Sequence, residues 1–192
     1  MQAQTALVSA SSVTGRRALA VALGAALVAI AAQIAIPLPG TPVPMTLQPL
    51  AVLLVGGWLG ARLGAGSLIF YLALGAAGLP VFTPYGLPGV ARLLGPTGGY
   101  LLAYPVAAFA VGRVVGATDP GRKPGVARLS IAVFTGLVLI HLGGLAQLLI
   151  LTGSATGALR LGTLPFLAGD LMKVAIAVLA LKPTVSPLRA RL

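Results

Sequence analysis

The sequence predicts an all-α integral membrane protein of six transmembrane helices, with N- and C-termini cytoplasmic. Three observations predict it. Hydrophobic residues make up 58% of the 192-residue chain and charged residues 8%, against roughly 25% charged in an ordinary soluble domain. Six apolar runs recur along the chain, most of them near the roughly 17–25 residues that cross a bilayer as helix. The basic residues then fall almost entirely on one side of those runs. This composition excludes a soluble enzyme or a soluble nucleic-acid binder. The net charge of +11 does not make nucleic acid a partner, because the bases sit at segment ends rather than in one patch. The chain has no Cys, which excludes a disulfide framework and a thiolate metal site.

The elements follow in order. Residues 1–15 are small and polar and are read as a disordered cytoplasmic N-terminus. The first span, Ala18 to Ile36, is broken only by Gln33. It is longer than the 7–15 apolar residues of a signal peptide, so it is read as a retained helix. The second span, Leu47 to Gly60, is short. The third is Gly64 to Leu79. The fourth, Gly99 to Gly116, contains Pro105 and Arg113. The fifth, Leu129 to Leu151, is the longest. The sixth, Leu164 to Leu181, carries Asp170 and Lys173. One membrane domain, 16–182, and a basic cytoplasmic tail, 183–192, complete the division.

Cytoplasmic loops are rich in Lys and Arg. With the N-terminus inside, Arg16, Arg17, Arg62, Arg113, Arg122, Lys123, Arg128, Lys182, Arg189 and Arg191 are all cytoplasmic. Only Arg92 and Arg160 fall outside. The three outer connections differ in kind. Residues 37–46 (PLPGTPVPMT) hold four prolines and no charge, so they cannot form regular helix. Residues 80–98 are again rich in Pro and Gly. Irregular backbone near a membrane is tolerated where it is buried in protein or lines a cavity. The two segments together suggest a lid and a floor for an outward-facing pocket. The third connection, 152–163, reads as a plain polar loop, and 117–128 inside reads as a solvated basic linker. No internal repeat is visible, which gives an inverted-repeat transporter little support.

Asp170 and Lys173 are the sharpest chemical signal. A charge at mid-membrane costs on the order of 2.5–3.5 kcal/mol. These two lie three residues apart on one helical face and can neutralise each other. Such a pair either pins a helix or forms a polar site, and as a site it suits a neutral ligand with both N–H and C=O groups. Thr46 either caps the second span or joins the pocket, and Gln48, next to Pro49, points an amide into the cavity. Gly98 and Gly99 permit close backbone approach. Tyr100 anchors at the interface or stacks on a ligand. Tyr85 and Arg92 lie in the preceding loop, and Arg92 meets either a ligand carboxylate or lipid headgroups. Ala22 with Ala26 and Ala25 with Ala29 form small-residue faces on the first span, for internal packing or for docking a partner protein.

Catalysis is poorly supported. An intramembrane aspartyl protease needs two aspartates in the membrane, and Asp119 falls in a loop, leaving Asp170 alone. A serine hydrolase would need Ser67 with His141, and nothing in the sequence orients the imidazole. His141 is the sole histidine, so haem or zinc held by several histidines is excluded. It reads as a packed or interfacial residue.

Four segments then resemble a known family in order. They are Pro42-Val43-Pro44-Met45-Thr46-Leu47-Gln48, Gly78-Leu79-Pro80-Val81-Phe82, Leu94-Gly95-Pro96-Thr97-Gly98-Gly99-Tyr100, and Pro165-Phe166-Leu167-Ala168-Gly169-Asp170-Leu171-Met172-Lys173. Together they resemble the BioY family, the biotin-binding membrane subunits (S components) of energy-coupling-factor transporters. The resemblance runs from about Ala18 to Leu181. It implies a six-helix protein of a bacterial-type plasma membrane that binds biotin from outside. By position it makes Asp170 an acceptor for the ureido N–H groups, with Lys173 beside it, and places Gly98, Gly99 and Tyr100 along the pocket. Some relatives carry a base directly after that tyrosine for the biotin carboxylate, where this chain has Leu101. An asparagine of some relatives has no counterpart in Thr83-Pro84-Tyr85-Gly86. The resemblance assigns no cofactor. It implies a separate coupling subunit and ATPases, or action without dedicated partners as in some members of the family, in keeping with the lack of a G-x-x-x-x-G-K-[ST] phosphate loop. It also makes the small-residue face of the first span a docking surface. An S component for another vitamin and a scaffold subunit without a ligand are the alternatives. The low aromatic content, 5%, leans against thiamin or riboflavin.

Overall fold

The computed structural model describes residues 2–116, 123–190 and 192, with side chains from residue 13 onward. Asp119, Arg122 and Arg191, and the first half of the basic linker, lie outside the described residues. The described elements are helices α1 (Gln2–Gln33), α2 (Gln48–Ala76), α3 (Val90–Leu94), α4 (Gly98–Gly116), α5 (Val126–Thr152), α6 (Ala155–Gly162) and α7 (Leu167–Arg189). A 3-10 turn, Leu164–Phe166, precedes α7. Two short strands, β1 (Ala35–Ile36) and β2 (Met45–Thr46), pair antiparallel, with Ala35 opposite Thr46. Among the described residues, five helical stretches are long and apolar enough to cross a membrane: Val13–Gln33, Gln48–Ala76, Gly98–Gly116, Val126–Thr152 and Ala155–Arg189. The helix α1 begins at Gln2, upstream of the apolar run and within the segment expected to be a disordered terminus.

The second and third expected spans both fall largely within α2, which begins one residue after the start of the second and ends three residues before the end of the third. Gly60 interrupts that helix with φ 80° and ψ 179°, a backbone region open essentially to glycine alone. A Cβ placed on Gly64 would lie 3.1 Å from the Gly56 Cα. Eight residues of straight helix separate two residues by about 12 Å. The chain therefore doubles back at Gly60, and α2 is a pair of arms, 48–59 and 61–76. The first arm is only about 18 Å long, shorter than the roughly 30 Å hydrocarbon core.

Small residues bring the helices together. A Cβ on Gly56 would meet the Ala108 carbonyl oxygen at 2.6 Å, so α2 and α4 touch backbone to backbone. Gly99 of α4 and Gly143 of α5 approach in the same way. Helix α4 thus lies between α2 and α5. One apolar cluster, including Val28, Val52, Leu68, Tyr71, Tyr104, Ile140 and Leu148, backs the region of the irregular connections. A second, including Leu53, Val111, Leu129, Val133, Ala177 and Leu181, fills the opposite end. Leu23, Ile30, Phe70, Leu102, Phe109, Phe134 and Leu179 are exposed around the outside, as a lipid-facing surface requires.

Two connections differ from their expectation. Residues 152–163 are not a plain loop: Gly153 closes α5 in a left-handed conformation, φ 66°, and α6 follows immediately. The Ser154 hydroxyl accepts the Gly157 N–H at 3.1 Å, an N-cap that makes the short helix possible. At the other end, α7 continues to Arg189 through the segment expected to be a tail. There Arg189 Nε donates to the Gly57 carbonyl at 2.8 Å and Trp58 Nε1 donates to Thr184 Oγ1 at 2.7 Å, which ties the helix end to α2.

Candidate functional site

A cavity of about 580 Å³, counting the space open at its mouth, lies where α2, α4, α5 and α7 meet the two Pro-rich connections. Val43, Pro44 and Thr46 form one part of its wall and Phe82 and Thr83 another. The irregular segments are thus tolerated for the stated reason: they line a cavity. The short first arm of α2 leaves room for the first of them. Gln33 Nε2 holds the second, donating to the Phe82 carbonyl at 3.0 Å, and Thr41 Oγ1 anchors the first to the Leu161 carbonyl at 2.6 Å.

The first turns of α7 bring the charged pair to the wall. Asp170 and Lys173 are 4% and 6% exposed. Lys173 Nζ donates to Asp170 Oδ1 at 2.9 Å. The other oxygen, Oδ2, lies 2.8 Å from His141 Nε2 on α5. The His141 Nδ1 in turn is 3.3 Å from Thr163 Oγ1. A buried charge is stable when it is paired and hydrogen-bonded, and the aspartate meets both conditions. The sequence reading missed His141. Its signal was its register on α5, where Leu137, Ile140, Gly144 and Leu148 mark the buried face and His141 follows Leu137 by four residues.

A neutral polar group faces the same cavity from α2. Gln48 Nε2 donates to the Tyr71 hydroxyl at 2.6 Å, and Thr46 Oγ1 donates to Gln48 Oε1 at 3.3 Å. The Thr46 hydroxyl also accepts the Gln48 backbone N–H at 3.2 Å, satisfying one of the free donors at the helix start. The N-cap position itself is Leu47. Tyr100, on α4, lines the cavity with its ring and donates its hydroxyl to the Gly162 carbonyl at 2.6 Å. Its ring sits in the space left by Gly144 and meets His141 edge-on, centroids 6.2 Å apart.

Arg92 is occupied elsewhere. Its Nε donates to the Leu87 carbonyl at 2.9 Å. One terminal nitrogen donates to the Thr83 carbonyl at 2.9 Å. The other donates to Thr83 Oγ1 at 3.0 Å and to the Tyr85 carbonyl. The guanidinium is a hub around which 83–87 is folded. Burial lowers its pKa from the ordinary arginine value, with the Tyr71 hydroxyl acting in the opposite sense.

Of the expected site residues, the fold brings Asp170, Lys173, Gln48, Thr46 and Tyr100 to one cavity. Tyr85 is 47% exposed on the loop. Gly98 and Gly99 are buried at the start of α4, packed against the Leu93 and Gly143 carbonyls behind the lining residue Thr97. The alanines of α1 separate: Ala25 is buried and Ala29 packs against the core, while Ala22 and Ala26 are exposed. Ser67 Oγ donates to the Leu63 carbonyl at 3.0 Å and packs on Gly24. His141 engages Asp170 instead, so the nucleophile–base contact that a hydrolase needs is not formed.

Known proteins give this arrangement a lineage. A protein of Pyrococcus horikoshii named probable biotin transporter BioY is 42% identical over 159 residues, 83% of this chain and 90% of its own. The biotin transporter BioY of Thermotoga maritima is 36% identical, over 80% of this chain and 86% of its own. The crystal structure of the S-component for biotin from an ECF-type ABC transporter superposes with a TM-score of 0.76. It is 27% identical, over 90% of this chain and 92% of that one. The model of the BioY family matches residues 3–190. The chain is a multi-pass membrane protein and belongs to the BioY family.

Proposed function

We propose that the protein captures biotin in this cavity and delivers it across the plasma membrane as the substrate-binding subunit of an energy-coupling-factor transporter. The carrying observation is the Asp170–Lys173 pair, buried and hydrogen-bonded in a cavity wall. Fusing carboxylate and ammonium in one site offers acceptors to a cyclic urea's N–H groups and a donor to its carbonyl oxygen. Gln48, Thr46 and Thr83 extend the polar surface. Phe82, Tyr100, Leu101, Tyr104 and Phe166 present apolar surface to the sulfur ring and the hydrocarbon chain. With Arg92 bound to its own loop, the ligand carboxylate points to the mouth.

Six crossings, both termini cytoplasmic, a lipid-facing perimeter and a mouth on the outer side complete the reading. The doubled-back α2 supplies two of those crossings. A coupling subunit and ATPases would provide the energy, with Ala22 and Ala26 on the docking face. The named relatives are transporters, consistent with a protein that is not an enzyme and holds no cofactor.

Another vitamin is the second reading, and one observation favours keeping it in the test. The fold gathers Phe82, Tyr100, Tyr104 and Phe166 around the cavity, so low overall aromatic content does not describe the site. The test is equilibrium binding of labelled biotin to detergent-purified protein, with thiamin and riboflavin as competitors. Biotin is expected to bind stoichiometrically and to resist competition. Asp170→Asn is expected to weaken it by about tenfold or more, roughly 1.4 kcal/mol, a reasonable minimum for one charged hydrogen bond. A folded sample without saturable biotin binding would remove the reading.

A further inference from the structure

We propose that His141 is a positioning residue for Asp170, setting the carboxylate for a ligand with N–H donors. This rests on the biotin reading above. Two groups hold the carboxylate. Lys173 bonds Asp170 Oδ1 from the same helix, three residues on, so it moves with α7 and leaves the carboxylate's placement relative to the other walls unset. His141 bonds Oδ2 from α5. Between them the two donors take one oxygen each. A carboxylate has about four lone-pair sites, so each oxygen retains acceptor capacity for a ligand.

The imidazole is itself held. Thr163, just before the 3-10 turn, places its hydroxyl at Nδ1. In the neutral ring one nitrogen donates and the other accepts. With a carboxylate at Nε2, the proton belongs on Nε2, and the threonine hydroxyl donates to Nδ1. Tyr100 packs against the ring edge, and its own hydroxyl is fixed on Gly162. The chain Thr163–His141–Asp170–Lys173 thus joins α5 to the residue before the 3-10 turn and to the first turns of α7. It also sits among cavity-lining residues, with the His141 side chain 14% exposed. A histidine placed only for packing needs neither the aspartate nor the threonine.

In His141→Leu, Asp170 keeps Lys173 but loses its link to α5, and biotin affinity is expected to fall about tenfold. In His141→Gln, an amide N–H can reach the position of Nε2, and most of the affinity is expected to return. In the Asp170→Asn background, His141→Leu is expected to add less than about threefold, because the residue it positions is already disabled. Thr163→Val tests the same chain without touching the ring and is expected to weaken binding by a smaller factor. Binding within threefold of the parent in His141→Leu would overturn the proposal. So would equal losses in the Leu and Gln variants combined with full additivity on Asp170→Asn, which is the pattern of a packing role. Failure of the parent protein to bind biotin would instead overturn the functional reading, and this one with it.

Discussion

At the residue scale, Asp170 and Lys173 tolerate burial because each satisfies the other. Removing one partner leaves an uncompensated buried charge, which destabilises far more than losing the pair together. Lys173→Met is therefore expected to lower the unfolding temperature of the purified protein as well as biotin binding. Combining it with Asp170→Asn should restore stability without restoring binding, as thermal unfolding and ligand titration would show. Arg92 makes the opposite case. Four of its five N–H donors go to the Thr83 hydroxyl and to the Thr83, Tyr85 and Leu87 carbonyls. Arg92→Ala is expected to weaken biotin and its uncharged carboxamide by the same factor, within about threefold, because it loosens a wall and removes no charge contact. A selective loss for biotin, measured by parallel titrations, would show that the guanidinium reads the ligand carboxylate.

At the element scale, two features hold the cavity's shape. The first is the reversal at Gly60. A side chain there meets a forbidden backbone conformation, and Gly60→Ala is expected to cost about 1–3 kcal/mol, read as a lowered midpoint in thermal unfolding. The second is the approach of α4 and α5 at Gly99 and Gly143, where any Cβ runs into the facing carbonyl. Gly99→Leu is expected to push the helices apart, destabilising by at least about 1–3 kcal/mol. Because the Tyr100 ring rests on Gly144, the next residue along each helix, it should also displace a cavity wall and weaken binding beyond its effect on stability.

At the scale of the whole molecule, the absence of cysteine makes topology directly measurable. Single cysteines at Gly40 and Tyr85 are expected to react with a membrane-impermeant thiol reagent added to intact cells. Cysteines at Lys123 and Leu192 are expected to react only after the membrane is opened. Any other pattern would revise the six-crossing topology. The perimeter of exposed Leu, Ile and Phe serves the same molecule in another way. With lipid outside, apolar burial gives no reason for helices to associate, so close glycine contacts and interhelical hydrogen bonds must hold the bundle. That is the pattern here, from Gly56 and Gly99 to Trp58 and Arg189.

Much of this was legible in the residues themselves. Length of apolar runs, the placement of Arg and Lys and the two Pro-rich segments predict a helical membrane protein with a lined cavity, since each reflects a local demand of the bilayer on the chain. The pair Asp170–Lys173 was legible for the same reason: two charges in one apolar helix have few tolerable arrangements. What tertiary structure alone decided was contact between residues distant in sequence. No local rule tells that His141, twenty-nine positions before Asp170, meets its carboxylate. Nor does any local rule say that Ala25 is buried and Ala26 exposed. Side-chain periodicity assigns a residue to a helix face. Only the packing of helices against one another decides what that face meets.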